Sequence, residues 1–221
     1  MEFNQIVQTV AIYALPVISA ITLHEAAHGY VARHFGDTTA EREGRISLNP
    51  IRHIDLVGTI IVPLAILLTS KLFGGAGMLF GWAKPVPVNF GNLRQPKRDM
   101  LWVAAAGPFS NLVMALGWAG LLKGSTLMAF NNFSQPMELM AVAGITVNVV
   151  LMVLNLLPIL PLDGGRIAVS LLPNRMAYAY SRLEPYGFPI LLVLLFTNML
   201  SVILNPMVLA SIGLIETIFQ L

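Results

Sequence analysis

The sequence predicts an all-α polytopic membrane protein of about five to six hydrophobic segments. A small membrane-associated β-hairpin or edge strand is expected near residues 44–49 and 84–90. Three observations carry this reading. Of 221 residues, 56% are hydrophobic and only 11% are charged, where soluble domains carry charge on roughly a quarter of their residues. Several apolar stretches reach the ~18 residues that a membrane-spanning helix requires. Eighteen consecutive residues, Ile6 to Leu23, hold no charge at all.

By hydropathy the segments fall at about 6–33, 56–73, 99–122, 137–157, 187–204 and 207–221. The last is short and follows Asn205-Pro206, which suits a kinked return or an interfacial helix. No repeat or low-complexity tract interrupts the chain. Residues 1–221 therefore read as one integral membrane domain, with a core at about 6–170 and accessory hydrophobic segments at 187–221. The N-terminus has an acidic Glu2 and no basic region, so the first helix is expected to stay in the mature protein. The absence of cysteine excludes disulfides and thiolate metal ligands. A net charge of +2 is too small to suggest nucleic acid as a partner.

Basic residues set an expected orientation. Arg33, Arg42, Arg45 and Arg52 fall in one loop, Lys84, Arg94, Lys97 and Arg98 in a second, and Arg166, Arg175 and Arg182 in a third. The positive-inside rule puts these loops in the cytoplasm and the N-terminus outside. The segment at 56–73 then has two cytoplasmic flanks. It either spans, with 74–90 returning in extended form, or is re-entrant, and backbone of that kind needs protein or a hydrated cavity around it. The stretch KPVPVNF (84–90) suits such a role. In a strand, alternate residues direct N–H and C=O to opposite edges. Pro85 and Pro87 strip donors from one edge, and Val86 and Val88 keep both groups on the other. The free edge can pair with RISL (45–48) or accept an unwound peptide by strand addition.

The first apolar run leads into His24, Glu25 and His28. On a helix the two histidines project from one face a turn apart. They can hold one zinc ion while Glu25 reaches its water. An HExxH pattern also arises by chance, but ionisable groups at membrane depth are costly and mark function. Zinc chemistry asks for a third protein ligand. In NLLPILPLDGGR (155–166), Asp163 follows two helix-breaking prolines and precedes a flexible Gly164-Gly165, and a turn or capping role is its alternative. His34 and His53 read as interfacial or loop histidines. Gly107, within Ala104–Ala106 and Gly107, reads as a packing residue.

HEAAH in the first helix, with Asn155-x-x-Pro158-x-x-x-x-Asp163-Gly164 in a later one, resembles the site-2 protease family of intramembrane zinc metalloproteases. AAAGPFSN (104–111) resembles the small-residue motif on that family's intervening core helix. GRISLNPIRHID and GWAKPVPVN further resemble its compact prokaryotic branch, and only about fifteen residues (123–136) stand where larger relatives carry a PDZ domain. The resemblance implies one Zn2+ per chain on His24, His28 and Asp163, with Glu25 as general base. It implies cleavage of transmembrane protein substrates near the cytoplasmic side of a prokaryotic inner membrane. Asn155 is the first candidate donor to the oxyanion and Asn111 the second, with an interhelical hydrogen bond as the alternative for each. Val86 and Val88 are candidate substrate contacts. A membrane metal transporter and a metal-binding, non-catalytic module are the competing functions. A transporter needs ligands on both sides of the midplane, and the chain offers one cluster. The partners expected are the lipid bilayer and transmembrane substrates, with homo-oligomerisation left open.

Overall fold

The computed structural model describes residues 3–62, 83–127 and 134–221. Its helices are α1 (Phe3–His34), α2 (Thr39–Arg42), α3 (Pro96–Leu127), α4 (Ser134–Asn155), α5 (Asp163–Leu171), α6 (Asn174–Ser181), α7 (Glu184–Phe196) and α8 (Met199–Phe219). Short 3-10 turns cover Pro50–His53 and Phe90–Asn92, and one π-helical turn covers Leu56–Ile61. Among the described residues, α1, α3, α4 and α8 are long and apolar enough to cross a membrane. The 13 residues of α7 extend only about 20 Å, short of a hydrocarbon core of ~30 Å.

The central contact is between α3 and α4. Ala115 and Ala119 lie one turn apart and let the backbones approach, and Ile145, Val149 and Val153 fill the seam together with Ile215 of α8. Gly144 sits under Trp118, where a Cβ would overlap the indole. The outer surface is apolar: Phe109, Leu209 and Phe196 are more than 60% exposed. Only 6% of the most apolar window of α8 is buried. A soluble helix with that composition would be covered, so these faces belong against lipid.

The three basic loops meet at one end of the bundle. Arg45 donates to Lys84 O (2.7 Å) and Pro85 O (3.3 Å). Arg94 N–H donates to Phe35 O (3.1 Å). Lys97 Nζ reaches Leu172 O, and Asn174 Oδ1 at 3.0 Å. At the far end of α3, Lys123 Nζ donates to Gln220 O (2.8 Å).

Two expectations about local structure are corrected. The expected hairpin is not formed: among the described residues, neither 44–49 nor 84–90 is a strand. Residues 83–89 form a non-helical strap whose backbone is held mainly by side chains. Arg45 takes the Lys84 and Pro85 carbonyls, and Glu25 takes the Val86 N–H. Asp37 takes the Asn89 N–H. With two of its donors already lost to proline, too few groups remain for a ladder. The C-terminal break also moves. It falls at Asn198, in a left-handed conformation (φ 59°), and Pro206 lies inside α8. Asparagine tolerates that conformation, and a membrane helix absorbs an internal proline when neighbours satisfy the freed carbonyl. Most of the expected 56–73 segment lies outside the described residues.

Candidate metal centre

Helix α1 carries His24 and His28 on one face, with ring centroids 4.8 Å apart and Nε2 atoms 3.1 Å apart. Asp163 opens α5 and brings Oδ2 to 3.2 Å from His24 Nε2 and 3.3 Å from His28 Nε2. All three side chains are buried. Their meeting follows from the sequence between Asn155 and Gly165. Pro158 and Pro161 prevent α4 from continuing. The chain then doubles back so tightly that a Cβ on Gly165 would lie 2.6 Å from Leu160 N, and one on Gly164 would strike Leu156 O.

The tautomers are set from behind. His28 Nδ1 lies 2.7 Å from Val103 O, which can only accept, so the proton sits on Nδ1. His24 Nδ1 lies 2.6 Å from Asn111 Oδ1. Both Nε2 lone pairs therefore face Asp163 Oδ2, a buried oxygen without a hydrogen-bond partner. Three lone pairs converging at 3.1–3.3 Å repel one another unless a cation lies between them. A tetrahedral ion with bonds of about 2.0–2.2 Å sets its ligands about 3.3–3.6 Å apart, and two imidazoles with a carboxylate suit zinc. The residues fit the metal.

Glu25, half-buried beside the cluster, accepts from Val86 N–H at 2.7 Å. Cluster and strap share a cavity of about 1310 Å³, with apolar walls from α1 (Val17, Ile21), α4 (Leu154) and α7 (Leu191). Asn155 lines it and donates Nδ2 to Leu151 O at 3.0 Å. Val88 also lines it, and its N–H has no partner among the described residues. Two expectations change. Asn111 is fully buried, engaged by His24, Asn148 and Ala20, and does not line the cavity. The Val86 donor belongs to Glu25 and so leaves only Val88 as a free backbone donor on that edge.

Other residues were underread in the sequence. Gly107 is more than a spacer: a Cβ there would press on His28 Nε2 and come within 2.5 Å of the His24 ring. His53 is buried in a 3-10 turn and bonds Ser47 O at 2.8 Å; its own carbonyl accepts the Lys84 N–H at 2.9 Å. Asp37 accepts from Asn89 N–H (2.6 Å), Thr39 N–H (3.0 Å) and Asn92 Nδ2 (3.2 Å). Burial would raise its carboxyl, but a hydrogen bond from the Thr39 hydroxyl, together with these three, outweighs that and holds it below the usual carboxylate range. Asp37 and Arg45 are thus the two ends of a harness for the strap. A single carboxylate after a helix and a single arginine in a basic loop carry no spacing signal for that task.

Comparison with known proteins agrees with this geometry. Residues 121–198 match Peptidase family M50. The chain is 39% identical over 215 residues to "Putative zinc metalloprotease YwhC" of Bacillus subtilis (strain 168), covering 93% of this chain and 91% of that protein. It is 31% identical over 189 residues to "Putative zinc metalloprotease Rip2" of Mycolicibacterium smegmatis, covering 83% of this chain and 66% of that protein. No solved structure matches.

Proposed function

This chain belongs to peptidase family M50, the site-2 protease type of zinc metalloprotease, and on that premise we propose that it cuts transmembrane proteins inside the bilayer from a single membrane-embedded peptidase domain spanning 1–221. The observation that carries the reading is the triangle of His24 Nε2, His28 Nε2 and Asp163 Oδ2, with sides of 3.1, 3.2 and 3.3 Å, beside Glu25 in a cavity with apolar walls.

His24, His28 and Asp163 would hold one zinc ion per chain. Zinc bound there would supply Lewis acidity, lowering the pKa of water and polarising a carbonyl. Glu25 takes the proton from the attacking water and returns it to the departing amine. That role requires Glu25 to leave Val86 N–H or to work through its second carboxylate oxygen. The Asn155 amide N–H, at the cavity wall, is the candidate donor to the tetrahedral oxyanion. Val88 N–H offers an unwound substrate a main-chain hydrogen bond. The apolar walls accept the substrate's side chains while lipid is kept from the reacting atoms. The three linked basic loops support an N-terminus outside and a metal centre towards the cytoplasmic side of a prokaryotic cell membrane. A metal conduit is disfavoured because, among the described residues, His24, His28 and Asp163 form the one ligand cluster.

The test is metal content. His24→Ala, His28→Ala and Asp163→Ala, each purified in detergent, should bind far less than one zinc per chain, whereas the parent protein binds about one. Full zinc in Asp163→Ala would remove that residue from the centre.

A further inference from the structure

The two histidines are oriented by unlike means, and the difference exposes a residue that the chemistry above does not use. His28 is oriented by a backbone carbonyl, Val103 O, which has one possible polarity. His24 is oriented by a side-chain amide, Asn111, which has two. With its oxygen towards His24, Asn111 puts the proton on Nδ1 and leaves the Nε2 lone pair for the metal. Flipped, it would present NH2 to Nδ1 and drive the proton to Nε2, into the ligand triangle.

What selects one orientation lies on the next helix. Asn111 Nδ2 donates to Asn148 Oδ1 (3.0 Å), and Asn148 Nδ2 donates to Gly144 O (2.8 Å). Asn111 and Asn148 are both fully buried. A backbone carbonyl cannot donate, so the nitrogen of Asn148 must face Gly144 O and its oxygen must face Asn111. The nitrogen of Asn111 must then face Asn148, and its oxygen His24. Each step removes one choice. A longer bond from Asn111 Nδ2 to Ala20 O (3.4 Å) runs in the same sense. The relay reaches across helices because Gly144, lacking a Cβ, lets α4 close against Trp118.

We infer that Asn148 is a positioning residue of the metal centre: by fixing the polarity of the Asn111 amide it fixes the His24 tautomer that can bind the metal. The inference rests on the zinc reading above. It assigns a task to a residue that neither touches the metal ligands nor lines the cavity.

The test uses the full chain in detergent, with zinc affinity measured by chelator competition and Co2+ substituted to read the ligand field by visible absorption. Asn148→Leu, close in size, should weaken zinc about tenfold, the lower end of the range for partners behind a metal ligand, while retaining its helical circular dichroism. Asn148→Asp still presents an oxygen to Asn111 and should stay within about threefold of the parent. In an Asn111→Asp background the carboxylate has no polarity to be set, so adding Asn148→Leu should change affinity by less than about twofold. An Asn148→Leu affinity within twofold of the parent would overturn the inference, and so would an equal loss in both backgrounds or an Asn148→Asp variant as weak as Asn148→Leu. Retention of zinc by His24→Ala would overturn the metal-centre reading, and this inference with it.

Discussion

The floor and the roof of the cavity are built on opposite principles. The floor is helical: α1, α3 and the start of α5 hold His24, His28 and Asp163, and each imidazole is fixed from behind by a buried acceptor. The roof is the strap at 83–89, which has no secondary structure among the described residues and hangs from Arg45, His53, Glu25 and Asp37. The floor sets its side chains on helices and braces both rings from behind, as a metal-ligand set requires. The strap keeps its backbone partly unpaired at Val88, which suits the proposed pairing with substrate. Glu25 joins the two, since it stands on the floor and holds the roof through Val86.

The largest effect should come from damaging the floor. Gly107→Val places a branched side chain where the two ligand rings lie. Zinc binding should fall at least about tenfold and cleavage should be lost, although Gly107 is neither ligand nor acid. Metal analysis of the purified variant checks this, and a full zinc complement would mean that the rings can yield.

The roof should fail differently. Val88→Pro removes a donor without a described internal partner and should slow turnover roughly 5- to 150-fold, from about 1–3 kcal/mol for a hydrogen bond lost in a poorly hydrated cleft. Zinc content and thermal stability should be unchanged. A fall in stability parallel to activity would show that the edge is paired within the protein.

Asp37 acts on stability rather than on turnover, and its effect has a sign in pH. Its folded carboxyl is held below its ordinary range, so its contribution is fully present above the unfolded value of about 3.9 and is lost as pH falls through the lower folded value. Asp37→Asn should cost about 1.5–3 kcal/mol at neutral pH and should flatten the loss of stability below about pH 4. Thermal melts of parent and variant between neutral and acid pH would show it. Parallel curves would remove Asp37 from the harness.

The same contrast explains what was legible in the sequence. Helical spacing announces His24 and His28, and the Pro158, Pro161, Gly164 and Gly165 punctuation announces the turn that delivers Asp163. Charge-free runs announce the long helices. Residues that act across helices left no such signal: Asn111 was readable as a polar residue in a membrane helix, but not as a partner of His24, 87 positions away. The strap was misread as a strand because alternating prolines predict an edge. Nothing local predicts that Arg45 and Glu25 would take the groups a ladder needs. At the C-terminus the break was expected at Asn205-Pro206, whereas α8 keeps its proline and the chain turns at Asn198.

The central claim is that Glu25 performs the proton transfer without holding the metal. Glu25→Gln keeps the length and an oxygen for Val86 N–H while removing the base. With a single-pass membrane protein as substrate in reconstituted vesicles, the variant should bind about one zinc per chain and yield no cleavage product. Cleavage by Glu25→Gln at the parent rate, with zinc in place, would contradict the account.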